Sequence, residues 1–170
     1  MKKLTLVING RGGVGKDTLC EAAATRYRVK NVSSITPIKE LAALCGWTGE
    51  KTDRARRFLA DLKALTAAYN DYPTNWIIDR YRAFLSGDAE ILFVHIREGE
   101  EIKKFVDATG GEAKTLLVRA DRRMAAHTYG NASDDMVESY TYDYYFDNDD
   151  APEVAAEKFL AFLAGIMDAE

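Results

Sequence analysis

Five short strand-like runs punctuate this chain, and between them apolar residues recur at intervals of three or four. The runs are Leu4 to Ile8, Val32 to Thr36, Ile91 to Val94, Thr115 to Val118 and Tyr142 to Phe146. Ile91 to Val94 is apolar throughout and Leu4 to Ile8 is apolar except for Thr5, as expected of strands buried on both faces. The intervals predict helices over 16–28, with Leu19, Ala22, Ala23 and Tyr27 on one side, and over 37–46, started by Thr36-Pro37 and closed by Gly46. A longer amphipathic helix is predicted over 52–70, carrying Phe58, Leu59, Leu62 and Leu65. Thr74 is expected to cap the next, which ends at Gly87 with Ile77, Tyr81, Phe84 and Leu85 inward. Two more are expected, Glu98 to Thr109 and Pro152 to Met167, whereas 120–139 is polar, weakly periodic and read as a mobile segment. Strands alternating with helices imply an α/β chain whose parallel sheet is covered on both faces. Ligands of such sheets bind at the carboxyl ends of the strands.

Composition narrows the classes. At 170 residues and 19.0 kDa a single domain is expected, and 47% hydrophobic against 29% charged is globular composition. With 23 Lys+Arg against 27 Asp+Glu, the net charge of −4 lacks the basic footprint of a nucleic-acid polymer binder. No run approaches the roughly 20 apolar residues that span a bilayer. The run after Met1-Lys2-Lys3 is too short for a signal peptide and enters a glycine loop rather than a cleavage site. Cys20 and Cys45 have no metal-ligand spacing and are expected to be small buried side chains in a reducing, cytoplasmic compartment.

The candidate chemistry begins after the first run. Gly10-Arg11-Gly12-Gly13-Val14-Gly15-Lys16 fits a glycine, four residues, then Gly-Lys, at a strand-to-helix turn. Such glycines let backbone N–H groups turn inward around phosphate oxygens, the helix N-terminus adds a favourable dipole, and the lysine supplies a mobile charge. The same letters satisfy Gly-x-Gly-x-x-Gly, but the dinucleotide fold wants an acid at the end of the second strand, where Ser33-Ser34-Ile35-Thr36 has none. A third reading is the deviant loop of partitioning ATPases, with Arg11 in place of its first lysine; there a Ser or Thr would follow Lys16, where this chain has Asp17. The order Lys16-Asp17-Thr18 places a carboxylate where many such loops put a Mg²⁺-ligating hydroxyl. Asp17 is therefore either a metal-side ligand, with Thr18, or a first-turn acid paired with an arginine.

Beyond the loop, the chain resembles the phage and bacterial deoxynucleoside monophosphate kinases, a branch of the P-loop nucleotide kinases. The resemblance runs in order through Thr36 to Leu41, Leu44 to Lys51, Arg56-Arg57-Phe58-Leu59 to Leu62, and Trp76-Ile77 after Asp71-Tyr72-Pro73. It continues through Val94-His95-Ile96-Arg97 with Glu101-Ile102, Tyr142-Asp143 and Asn148-Asp149, covering about residues 4 to 150. Four positions depart from that family's pattern: His95 stands for an Asp, Ala60 for a Gln, Lys63-Ala64 for a Gly-Thr pair and Ala68 for an Arg.

The resemblance implies a three-layer P-loop NTPase fold with a five-stranded parallel sheet, a helical acceptor-binding insertion near 37–87 and a lid near 120–139. It implies ATP and Mg²⁺ as cofactors and a small phosphate-bearing acceptor, with monomer and homodimer both open. ATP would lie on residues 10–18. Lys16, Arg97, Arg122 and Arg123 would stabilise the transferring group, and Arg56, Arg57 and Trp76 would hold the acceptor, with Arg54 and Arg119 nearby. His95 is read as a polar strand-end residue and His127 as exposed. Tyr140, Tyr142, Tyr144 and Tyr145 are expected to alternate between sheet faces rather than stack bases. Asp134, Asp135, Asp147, Asn148, Asp149 and Asp150 are read as a solvated stretch capping the last helix, without the spacing of a calcium loop.

Overall fold

The computed structural model describes residues 2–125 and 136–169. His127, Asp134, Asp135 and the middle of the expected lid lie outside them.

Leu4–Asn9 forms β1, buried at every residue. It lies between β3 (Ile91–His95) and β4 (Lys114–Arg119), with β2 (Val29–Ser33) and β5 (Tyr144–Asp147) at the edges, and every neighbouring pair is parallel. In register Leu4 faces Ile91 and Ile8 faces His95 on one side of β1, while Leu6 to Asn9 meet Lys114 to Leu117 on the other. The chain leaves β1 for one half of the sheet and, after β3, crosses to the other. The crevice beside the end of β1 is thus the switch point where such sheets bind ligands.

The pleat sends alternate side chains to two cores. Leu4, Leu6, Ile8, Phe93, Leu116 and Val118 join Leu19 and Ala23 of α1 (Lys16–Ala24) and Phe159 and Leu163 of α6 (Pro152–Ala169). Phe159 lies near parallel to Phe93 at 6.3 Å and meets Phe146 edge-on at 5.1 Å. Across the sheet, Val7, Leu92, Val94 and Leu117 pack with Ile77 and Phe84 of α4 (Tyr72–Ser86) and Ile102 and Phe105 of α5 (Gly99–Ala108). This is a three-layer α/β fold around a five-stranded parallel sheet, as the alternation implied.

Several boundaries move, for local reasons. β2 starts three residues early, where Val29 already pairs with Ile91, and it ends at Ser33, because Ser34 N–H bonds to the His95 carbonyl and the chain turns there into α2 (Thr36–Leu44) without a side-chain cap. α1 stops at Ala24, where Thr25 takes over the end. Thr52 does cap α3 (Asp53–Asn70), accepting from Ala55 N–H at 3.2 Å. Thr74, by contrast, is buried inside α4: the joint before it is Asp71, held at φ 53°, a left-handed conformation that Asp tolerates. Tyr142 precedes β5 rather than belonging to it, while Tyr144 and Tyr145 point to opposite faces, toward Phe162 and Tyr142 respectively.

Two amphipathic expectations hold only in part: Phe58, Leu59 and Leu62 are half-buried and Ile77, Tyr81 and Phe84 buried, but Leu65 and Leu85 are not. α3 stands off the sheet and packs on α2 and α4, so Ala55 is its buried residue and Leu65 is 70% exposed. Leu85 is exposed as well, and so is Cys45, which ends α2; Cys20 is buried as expected. Leu65→Glu should accordingly leave the thermal midpoint almost unchanged, within about 0.5 kcal/mol of the parent stability. A large drop in a calorimetric scan would mean that α3 is buried by something else.

Candidate functional site

The carboxyl ends of all five strands share one edge of the sheet, and the glycine loop leaves β1 at its centre. Gly10 is held there by close approach: a Cβ would lie 2.6 Å from the Val118 carbonyl oxygen and 2.8 Å from a Val14 methyl. Gly15, at φ 93°, occupies the position before α1, where a Cβ would meet the Asn148 amide at 2.5 Å. Both contacts leave room for backbone and nothing else. Lys16 folds back over this turn, donating from Nζ to the carbonyls of Gly10 (2.7 Å) and Arg11 (3.2 Å). Asp17 and Thr18 follow on the first turn of α1, both exposed beside the loop.

Three residues that sequence reading passed over or misjudged build the walls. Asn9 is 1% exposed; its Oδ1 accepts from Gly10 N–H (2.9 Å), and its Nδ2 donates to the Arg97 carbonyl (3.1 Å) and Tyr142 hydroxyl (2.8 Å). Tyr142 in turn donates to the Val137 carbonyl (2.6 Å), and burial pushes its hydroxyl pKa up to about 12. Asn148 is buried, contrary to the solvated reading, and donates to the Val14 carbonyl at 2.8 Å. A polar residue closing an apolar strand was the available signal for Asn9. Asn148 and Tyr142 enter the sequence reading only through the family resemblance, and their bonds to Val14 and Asn9 span more than a hundred residues.

The arginines separate. Arg123 Nη2 donates to the same Val14 carbonyl at 2.9 Å, and its backbone N–H is fixed by Asp149. Arg122 is 85% exposed and lies 3.7 Å from Asp149, so the pair does not act as one unit. Arg119 ends β4, forms an ion pair with Asp147 and covers the Tyr145 ring. Arg97 is exposed just past β3 and lines a cavity of about 680 Å³ with Glu98 and Tyr140. Arg56 and Arg57 are exposed on α3, Arg56 near Asp53, and Arg54 lines a separate cavity with Trp47 and Phe58. Trp76 packs half-buried against the α4/α5 core with Arg80 over its ring at 4.6 Å. The structure therefore gathers residues 10–18, Arg97 and Arg123 at one edge, and leaves Arg56, Arg57, Arg122 and Trp76 without a shared cavity among those described.

The segments flanking 126–135 also touch the loop. Met124 reaches over Gly13, where an added Cβ would lie 3.2 Å from its methyl, and Glu138 meets Arg11 at 3.3 Å. Beside Gly15 a cavity of about 430 Å³ is lined by Thr18, Arg123, Asn148, Asp149 and Pro152. The acidic stretch is thus tied down: Asp147 pairs with Arg119, Asp149 accepts from Arg123, and Asp150 pairs with Lys158.

His95 ends β3 close to both loop charges. Burial, together with Lys16 and against the pull of Asp17, holds its pKa below the ordinary imidazole value, and Asn31 Oδ1 lies 3.1 Å from Nε2. A neutral imidazole follows at neutral pH. Cys20, under the loop on α1, is pushed up to about 12 by burial and the nearby Asp17 and is inert as a nucleophile. Among the described residues no three His, Cys, Asp or Glu side chains gather to hold a metal. A Mg²⁺ ion takes one or two protein oxygens and the rest from phosphates and water, and Asp17 and Thr18 are the exposed oxygens that the first turn of α1 offers.

No protein-family model matches the chain, and no curated protein matches it. Solved structures do. The tunicamycin resistance protein of Deinococcus radiodurans is 14% identical with a TM-score of 0.60, covering 95% of this chain and 96% of that one. Shikimate kinase of Aquifex aeolicus vf5 gives 8% identity and a TM-score of 0.59, over 95% and 97% of the two chains. A gluconokinase of Sinorhizobium meliloti 1021 gives 14% and 0.55, over 99% and 97%. At such identities the likeness establishes the fold, a three-layer P-loop NTPase fold. No helix among the described residues is long and apolar enough to cross a membrane.

Proposed function

We propose that this chain is an ATP-dependent phosphotransferase that moves the γ-phosphoryl group of ATP to a small phosphate-bearing acceptor, a nucleoside or deoxynucleoside monophosphate. The observation that carries the reading is the cradle: Gly10 and Gly15 packed to backbone contact, with the Lys16 ammonium folded over two loop carbonyls at the switch point of the sheet. ATP supplies the group transferred. The two kinases among the structures of like fold support the activity; the family resemblance supports ATP binding, and the acceptor class is taken from it although its departures fall in the acceptor-binding part.

Phosphoryl transfer asks the protein for alignment and charge more than for covalent chemistry. Lys16 would leave the carbonyls it now caps and follow the outer phosphates. Arg123 sits across Gly15, its guanidinium fixed on the Val14 carbonyl, where it would meet phosphate oxygens with little reorganisation. Asp17 and Thr18 would hold Mg²⁺. Arg97 would face the acceptor from the end of β3, and the cavity lined by Asn148 and Pro152 would take the adenine end. An acceptor that already carries phosphate needs no general base, so no proton transfer is assigned to His95.

His95, standing where the resembled family has an acid, favours a second reading: a P-loop protein that binds ATP without transferring it. An ATP-consumption screen across the common ribo- and deoxyribonucleoside monophosphates, with dephospho-coenzyme A and phosphomevalonate, separates the two. Turnover with a nucleoside monophosphate is the expected result. Tight ATP binding with silence across the panel would establish the binding-only protein, and acceptor-free hydrolysis would point to an ATPase.

A further inference from the structure

Between α3 and α5 lies a concavity of about 290 Å³ whose floor includes Ala60, Ala64 and Ala67 and whose charged lining is Lys63, Glu98 and Glu101, with Glu100 and the Lys104–Asp71 ion pair beside them. The Lys63 side chain is 17% exposed, and its ammonium donates to Glu98 (2.8 Å), Glu101 (2.9 Å) and the Ser34 hydroxyl (3.1 Å), which uses all three of its protons. Both carboxylates therefore converge on the one ammonium. Burial and the adjacent Glu98 charge raise the Glu101 pKa despite Lys63. At Glu98 burial acts in the same sense, but the Lys63 charge and hydrogen bond outweigh it and lower the pKa. Glu101 is 9% exposed, and its Oε1 is buried with no hydrogen-bond partner among the described residues.

The donors of this cluster are thus spent on one another, and what it presents outward is the Glu98 carboxylate, 50% exposed. Glu98 borders both this concavity and the wider one lined by Arg97 and Tyr140. It stands one residue beyond Arg97, whose carbonyl is tied through Asn9 to the start of the glycine loop. A fixed carboxylate takes two neighbouring donors side by side and repels an anion.

We propose that Glu98 determines acceptor specificity, its two oxygens receiving a pair of adjacent hydrogen-bond donors on the part of the acceptor remote from its phosphate. This inference rests on the acceptor reading above. Such a pair is either the N–H edge of a guanine-type base or the neighbouring hydroxyls of a ribose, and two contrasts distinguish them. Inosine nucleotides keep the shape of guanosine ones but lack the 2-amino group; deoxyribose lacks the second hydroxyl.

The test is calorimetric binding of dGMP, dIMP and GMP to the full chain saturated with a non-hydrolysable ATP analogue. One contrast, dGMP over dIMP or GMP over dGMP, should show a preference of about 10–100-fold. Glu98→Gln, which replaces one acceptor oxygen with a donor, should collapse that ratio while ATP binding is retained. A merely structural Glu98 would weaken all three ligands together and leave the ratios alone. Equal binding of all three, or a preference that survives Glu98→Gln, overturns the proposal. If no monophosphate binds, the phosphate-acceptor reading fails, and the same contrasts are run with guanosine, inosine and deoxyguanosine. No preference there overturns the assignment of Glu98 too.

Discussion

Lys16→Ala is expected to fold normally and to lose phosphoryl transfer by at least about 10²–10³-fold, the order seen when one preorganised donor to a developing charge is deleted. In the structure this ammonium caps the carbonyls of Gly10 and Arg11 from a half-buried position, so its removal costs the fold about 1 kcal/mol or less. The loop geometry is set elsewhere, by Gly10 against Val118, by Asn9 on Gly10 N–H and by Asn148 on the Val14 carbonyl. The decisive pair of measurements is turnover with whichever acceptor the screen identifies, and a thermal melt followed by circular dichroism. A variant that melts like the parent and turns over like the parent removes the loop from the chemistry. A variant that fails to fold would instead mean that the lysine is a structural plug. Lys16→Met, which keeps the aliphatic stem but not the charge, separates that outcome from loss of charge.

The parts of this fold legible in the sequence are those determined locally. Continuous apolar runs identified β1 and β3, Thr52 marked the start of α3, and the glycine spacing placed the loop at the strand-to-helix turn. What was not legible depends on tertiary placement. The stripe of Phe58, Leu59, Leu62 and Leu65 reads as amphipathic whether or not a sheet lies beneath it, and α3 rests on α2 and α4 instead. Thr74 has the letter of a cap, but a left-handed Asp71 had already begun α4. Arg122 and Arg123 are neighbours in sequence, yet only Arg123 is turned onto the Val14 carbonyl. Lys63 was visible as a departure from a resembled pattern. Its meaning came only with Ser34, Glu98 and Glu101 around it.

Asn9→Ala is the substitution expected to damage stability and the site together. Asn9 joins three things that no other described contact joins: the loop's first N–H, the peptide after β3 and the Tyr142 hydroxyl, which continues to Val137. Truncation strands the buried Gly10 N–H and removes a donor from the Arg97 carbonyl. An unsatisfied buried group costs about 1–3 kcal/mol, so the sum is about 2–4 kcal/mol. For a chain of this size that corresponds to a fall in the melting midpoint of roughly 5–15 °C. Because the same bonds fix where the loop starts relative to Arg97, ATP affinity should fall as well, whereas a core truncation of equal cost would spare it. Tyr142→Phe cuts the network one link further on. If the links act as one unit, the double variant should be less destabilised than the sum of the single ones by at least about 0.5 kcal/mol. Strict additivity in urea melts, with unchanged ATP affinity in the single variants, would show that Asn9 and Tyr142 are separate polar plugs and that the loop is positioned by its glycines and Asn148 alone.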